Sequence, residues 1–196
     1  MGDLNGDGKQ DVAVADLNQY APGTVSVLLG NGDGTFQPAT AYATGMATDS
    51  VAIADLNGDG KPDLVVLDAG SIVGGSTVPS GVGILLGNGD GTFKPEVTYP
   101  SGAGGAELVV ADINGDGKLD VAVANNALGN LSILLGNGDG SFQPAVTTFD
   151  PNRRISISIA AGDLNGDGKP DLAMANFINV SVLLGNGDGT FGVVVN

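Results

Sequence analysis

One nine-residue pattern, D-x-N-x-D-G-x-x-D, occurs four times in this chain and restricts its fold more than any other feature. With the preceding residue the copies read GDLNGDGKQD, ADLNGDGKPD, ADINGDGKLD and GDLNGDGKPD. Their leading aspartates are Asp3, Asp55, Asp112 and Asp163, at spacings of 52, 57 and 51 residues. A second motif alternates with the first, LLGNGDGTF in three copies and LLGNGDGSF in one, its first glycines at Gly30, Gly87, Gly136 and Gly185. Self-similarity at this period marks a repeat architecture, and about 50 residues suit one four-stranded propeller blade.

The segments between the motifs read as strands. A short apolar run follows each first motif, at residues 12–15, 64–67, 121–124 and 172–175. Before each second motif apolar residues alternate: Val25, Val27 and Leu29; Val82, Ile84 and Leu86; Leu131, Ile133 and Leu135; Val180, Val182 and Leu184. Period two with β-branched residues is the strand signal. Residues 50–54, 108–111 and 155–160 supply a fourth strand leading into the next first motif. The N-G-D-G tetrapeptides are hairpin turns, because Asn and Gly tolerate positive φ. Pro38, Pro95 and Pro144 follow the turn in three of the four copies. Proline fits an edge strand, where no partner waits for its missing N–H, so this strand is placed outermost.

The expected fold is therefore all-β: a β-propeller of four-stranded antiparallel blades, about four in this chain, the first lacking its inner strand. The chain reads as a single repeat domain over 1–196, with units near 1–50, 51–107, 108–158 and 159–196. No segment reads as helix. Met1-Gly2-Asp3 matches the tail of Ala161-Gly162-Asp163, so the chain is expected to be cut from something longer or matured by processing. The connections opposite the first motif vary most: residues 68–81 are the longest, 176–179 the shortest, and another variable connection holds Arg153 and Arg154.

The charge distribution narrows the function. Net charge is -15, and the 22 acids comprise 20 Asp and 2 Glu. Twelve of the aspartates fall in the first motif, and four more, Asp33, Asp90, Asp139 and Asp188, fall in the second. Such acidity argues against nucleic acid as a partner and against anionic membrane surfaces. No run approaches the ~18 apolar residues of a membrane span. The chain has no Cys, His or Trp, which removes thiol and imidazole chemistry and the usual zinc ligands.

The first motif has the chemistry of a calcium loop. Calcium takes six to eight oxygens at about 2.3–2.6 Å in flexible geometry. Positions 1, 3 and 5 of a tight loop aim three side chains inward, position 6 is a glycine that reverses the chain, position 7 offers its backbone carbonyl, and position 9 closes the site. The ligands so assigned are Asp3, Asn5, Asp7, Lys9 and Asp11; Asp55, Asn57, Asp59, Lys61 and Asp63; Asp112, Asn114, Asp116, Lys118 and Asp120; and Asp163, Asn165, Asp167, Lys169 and Asp171. Each lysine contributes its carbonyl and keeps its side chain in solvent. About four Ca2+ ions, one per repeat, would bring the net charge from -15 to about -7. Position 2 is always Leu or Ile (Leu4, Leu56, Ile113, Leu164), expected to pin the loop to the core. The loop is no EF-hand: position 12, a Glu there, is here Val14, Val66, Val123 or Met174. Magnesium fits less well, since it prefers fewer protein ligands in rigid octahedral geometry. Three carboxylates converging without a cation would repel one another.

The pairing of D-L-N-G-D-G-K-P-D-L with L-L-G-N-G-D-G-T-F resembles the FG-GAP/VCBS repeats of integrin α-chain-like β-propellers. The resemblance covers nearly the whole chain. It implies a propeller of four-stranded blades, usually seven in a closed ring, with calcium in the loop between the two inner strands of each blade, and an extracellular or cell-surface setting. Four repeats fall short of seven, which leaves closure alone, pairing with another copy, or a place in a longer parent chain as alternatives.

In the second motif, Asn31, Asp33 and their equivalents read as a capped hairpin turn, with a further ion as the alternative. Phe36, Phe93, Phe142 and Phe191 are expected to wedge between blades. The functional expectation is a non-catalytic adhesion or structural module, open to self-assembly, its protein or glycan ligand meeting the face opposite the calcium loops. The alternative is a lectin-like, carbohydrate-binding propeller. Sugar sites usually stack on aromatics, and the tyrosines are Tyr20, Tyr42 and Tyr99, near variable connections. An esterase or lyase using paired carboxylates fits less well, because every clustered aspartate is better explained as a ligand. The sequons at Asn130 and Asn179 read as chance.

Overall fold

The computed structural model describes residues 1–17, 22–73, 76–126, 129–149, 156–177 and 179–195, and among these there is no helix. The first blade holds β1 (Val12–Asp16), β2 (Pro22–Leu28) and β3 (Thr40–Met46). The second holds β4 (Thr48–Ala54) and β5 (Asp63–Asp68), then a small hairpin of β6 (Ser71–Val73) and β7 (Ser76–Val78), then β8 (Ser80–Leu85) and β9 (Val97–Gly102). The third holds β10 (Gly105–Ala111), β11 (Asp120–Asn125), β12 (Asn130–Leu134) and β13 (Val146–Phe149). The fourth holds β14 (Ser156–Gly162), β15 (Asp171–Asn176), β16 (Val180–Gly185) and β17 (Phe191–Val195). Each blade is an antiparallel meander in sequence order: β1-β2-β3, β4-β5-β8-β9, β10-β11-β12-β13 and β14-β15-β16-β17. The expected missing inner strand leaves the first sheet three-stranded, its place marked by a single antiparallel bridge between Gly2 and Asp11.

The blades stack face to face. The strand β1 packs on β4, β4 on β10 and β10 on β14, and among the described residues no strand pairing joins one sheet to the next. Three apolar clusters fill the gaps. Leu4, Val25 and Val27 of the first blade meet Leu64, Val66, Leu85 and Phe93 of the second. Val65, Leu67, Val82 and Ile84 of the second meet Val121, Val123, Leu134 and Phe142 of the third. Ile113, Ala122, Leu131 and Ile133 of the third meet Leu172, Met174 and Leu183 of the fourth. Alternation sends neighbouring residues of one strand into different clusters. Every residue of β5, β8, β11 and β12 is accordingly buried, whereas β1, with a neighbour on one face, has no buried residue.

Several expectations are refined. The outermost strands start at Thr40, Val97 and Val146, two residues after Pro38, Pro95 and Pro144, so each proline precedes the strand it was read into. Pro100, which lies inside the edge strand β9, follows the same rule. The long connection 68–81 builds its own hairpin, β6–β7. Two inner strands begin earlier than their apolar runs, β4 at Thr48 and β10 at Gly105, and all three inner strands carry a register shift, at Thr48/Ser50, Gly105/Glu107 and Ser156/Ser158. Tyr20, Arg153 and Arg154 lie outside the described residues.

The phenylalanine wedges form where a preceding blade exists. Phe93 meets Tyr42 edge-on, with ring centroids 5.3 Å apart, and Phe142 meets Tyr99 at 5.6 Å. Each pair spans two blades. Phe36 has no preceding blade and is 42% exposed, so its expected wedge role is not met within this chain.

Candidate metal centre

The four loops fold alike. In the second, Oδ1 of Asp55 accepts the N–H groups of Gly58 (2.8 Å) and Asp59 (3.2 Å), and Oδ2 accepts that of Gly60 (2.9 Å). Asn57 Oδ1 accepts the Asp59 N–H at 2.9 Å, and Asp59 Oδ1 accepts the Lys61 N–H at 2.9 Å. The same five bonds recur around Asp3, Asp112 and Asp163. Two reversals make this possible: Gly58 has φ 70° and Gly60 φ 78°, a region costly for any residue with a Cβ. The sequence argument required such a reversal at position 6; position 4 carries one as well.

Position 9 does more than close the loop. Asp63 is fully buried; its Oδ2 accepts the Leu56 N–H at 3.0 Å and its Oδ1 the Gly87 N–H at 2.8 Å. Asp11, Asp120 and Asp171 make the same two bonds, to Leu4 and Gly30, Ile113 and Gly136, Leu164 and Gly185. The second motif is thereby docked onto the first. A Cβ on Gly87 would lie 2.1 Å from the Pro62 carbonyl oxygen, and the other three glycines are as tightly placed. The lysine of position 7 strengthens the joint. The stem of Lys61 lies over Gly89 and that of Lys9 over Gly32, so these side chains lie on the second motif with their stems packed and their ammonium heads toward water. Lys9 Nζ is 3.3 Å from Asp7 and Lys118 Nζ 3.9 Å from Asp116.

Electrostatics differ along the loop. Burial pushes the Asp63 and Asp120 carboxyls up, against the pull of their N–H bonds. The Lys9 N–H holds exposed Asp7 below the ordinary carboxylate value, and the Gly168 N–H does so for Asp163. Among the described residues no three acidic side chains are grouped as around a common ion; the carboxylates are turned toward backbone amides, of their own loop and, at position 9, of the second motif as well. The donor chemistry nonetheless fits calcium. A carboxylate offers about four lone-pair sites and an amide oxygen two. Asp55 uses three, Asn57 one and Asp63 two, so each keeps an oxygen lone pair for a hard cation.

The second motif is a closed turn. Thr92 donates its N–H and its hydroxyl to Asp90 Oδ1, and the Asn88 amide donates to the Thr92 hydroxyl at 2.8 Å. Asp33, Asp139 and Asp188 are held in the same way, and the hydroxyl bond lowers all four carboxyls. The hairpin reading accounts for every polar side chain of this motif.

A model of the FG-GAP-like repeat matches residues 3–66, 72–123 and 112–174. The chain belongs to the FG-GAP-like repeat family. All four loops of this FG-GAP-like protein lie within those matches. No curated protein matches it. Its fold is similar to a solved structure of an Agrocybe aegerita lectin, described as recognising non-reducing terminal N-acetylglucosamine, at 22% identity and a TM-score of 0.48. That likeness covers 96% of this chain and 66% of the lectin's.

Sequence reasoning missed one polar site of the FG-GAP-like array. The second strand of each blade ends in Asp16, Asp68, Asn125 or Asn176. Asp16, Asn125 and Asn176 bond to a serine on the next strand, Ser26, Ser132 or Ser181. In the second blade that serine is replaced by Gly83. The Glu96 carboxyl fills the space, so that a Cβ on Gly83 would overlap it, and it faces the Asp68 carboxylate. Burial first, and then the Asp68 carboxylate, push Glu96 up to about 8. The two carboxyls form a close acidic pair, and burial raises Asp68 as well. Its one sequence signal is the glycine standing where the other blades have serine.

Proposed function

We propose that this chain is a non-catalytic, calcium-stabilised repeat scaffold of the cell surface or extracellular space, which presents its variable connections to a protein or glycan. The observation that carries the reading is the recurrence of one hydrogen-bonded loop, with the same spare oxygen donors, in all four blades. Loop, docked second motif and blade core form one unit through the position-9 aspartate, so an ion held in the loop stabilises the whole blade. Extracellular calcium modules typically bind at about 10⁻⁴–10⁻³ M, and their ions are correspondingly structural. The clustered acids all take part in loop or turn bonds, and this supports a scaffold over an enzyme. Elemental analysis of the chain purified in calcium tests the reading: about four equivalents of calcium and a melting temperature that drops in chelator are expected. A melting curve indifferent to calcium and chelator overturns it.

A glycan ligand has one specific support. Tyr42 and Tyr99 are occupied in ring pairs between blades, but Phe177, in the connection after β15 and opposite the calcium loops, is 72% exposed and offers a stacking platform. Binding on a glycan array that disappears in Phe177→Ala would establish this mode, and an array without signal would dismiss it.

A further inference from the structure

We infer that the joint between the first and second blades binds a hard divalent cation between the carboxylates of Asp68 and Glu96. Both blades of this joint lie within the chain. The position is also distinct from the loops: Asp63 begins β5 and Asp68 ends it, so about 16 Å of extended strand separates the two.

Two oxygens point to an occupant. Oδ2 of Asp68 and Oε1 of Glu96 are buried and accept no hydrogen bond, and Asp68 as a whole is 3% exposed. The other oxygen of Asp68 is engaged, since the Thr48 hydroxyl donates to Oδ1 at 2.9 Å. Asp68 is thus anchored by one oxygen and presents the other to Glu96. A buried carboxylate oxygen without a donor is costly, and two carboxylates facing each other repel. The other blades avoid that cost. Asp16 accepts from Thr24 and Ser26, while Asn125 and Asn176 are uncharged amides that donate to a serine. Among the described residues the ion pairs are Lys9–Asp7 and Lys118–Asp116, so no described lysine neutralises this pair.

The backbone of both blades makes room for the two oxygens. A Cβ on Gly45 would overlap Asp68 Oδ2, and one on Gly83 would overlap Glu96 Oε1; Gly45 lies in β3 of the first blade and Gly83 in β8 of the second. Hydroxyl oxygens stand at the same joint, Thr44 bonded to Thr48 and Thr98 beside Glu96. Two carboxylates in an all-oxygen setting match a hard divalent cation, which neutralises both and completes its shell with water. In calcium-free solution a proton on Glu96 takes that place. The joint offers fewer protein donors than a loop, so it is expected to fill at higher free calcium than the loops do.

The test counts bound calcium by equilibrium dialysis at saturating free calcium, in the wild-type chain, Glu96→Gln and Asp68→Asn. Each substitution replaces a carboxylate with a neutral amide of the same size; should one variant lose its circular-dichroism spectrum, the other decides. Each is expected to bind one ion fewer than the wild type. Adding Glu96→Gln to Asp59→Ala, which alters a loop, is expected to remove one ion more than Asp59→Ala alone, because joint and loop are separate sites. Equal counts in the wild-type chain and a folded variant, or in Asp59→Ala with and without Glu96→Gln, would overturn the inference. These differences are independent of whether the loops hold calcium, which melting in chelator examines separately.

Discussion

The N–H of Gly87 donates to Oδ1 of Asp63 across 2.8 Å, 24 residues apart in sequence. That bond explains why the two motifs occur as a pair, once per blade. The first-motif loop ends in a buried aspartate whose carboxylate accepts from two amides, and the second motif supplies the second of them from a glycine, the one residue small enough to fit there. A buried carboxylate without such partners is costly. Neither motif is complete alone.

Gly87→Ala should therefore destabilise the chain severely. The added methyl group meets the backbone carbonyl of Pro62, which cannot swing aside as a side chain would, so the joint must open and Asp63 lose a donor. A loss of about 2 kcal/mol or more in denaturant unfolding is expected. A variant as stable as the wild type would dissolve the link between the motifs.

Asp59→Ala removes a loop donor that lies at the surface and leaves the Asp63 joint intact. Elemental analysis should find one calcium fewer than in the wild-type chain. In excess calcium the variant should melt lower by the lost linkage, about 2.7 kcal/mol where free ion is ~100 times its dissociation constant. In chelator the two chains should melt nearly together.

The Glu96–Asp68 pair should set a pH dependence. Glu96 is raised in the folded chain from its ordinary 4.5 to about 8, so the folded state binds the extra proton. Its contribution is complete below the unfolded value and is lost as pH rises through about 8, which makes stability fall over that window. Glu96→Gln, with an amide donor permanently facing Asp68, should flatten the fall and be more stable than the wild type at alkaline pH. Parallel stability–pH curves for the two chains would exclude a raised Glu96.

Phe93→Ala and Phe36→Ala should behave differently. Phe93 is buried against Tyr42, and its truncation is expected to cost about 3–5 kcal/mol. Phe36 touches no preceding blade, and at concentrations where the chain is monomeric its truncation should stay within about 0.5 kcal/mol. Thermal or urea unfolding of both variants decides the comparison.

Much of this protein was legible in its sequence. Period-two alternation is a local property of the backbone, so the strands, their order in each blade and the three-stranded first sheet follow from it. The loop is local as well: Asp55, Asn57, Asp59 and two glycines bond to amides no more than five residues away. The outer strand was placed correctly even though Pro38, Pro95 and Pro144 only lead into it.

What tertiary structure alone decided concerns neighbours distant in sequence. Phe36 and Phe93 lie in the same motif, LLGNGDGTF, yet one is exposed and the other buried, because burial depends on whether another blade lies against that face. Both Asp63 and Asp59 read as loop ligands; only the folded chain shows that one is also the internal tie between motifs. Glu96 meets Asp68 because Gly83 leaves space beneath it, a vacancy that becomes meaningful once three strands lie side by side. Short-range periodicity and turn chemistry are written residue by residue, whereas packing depends on what the rest of the chain brings to the same place.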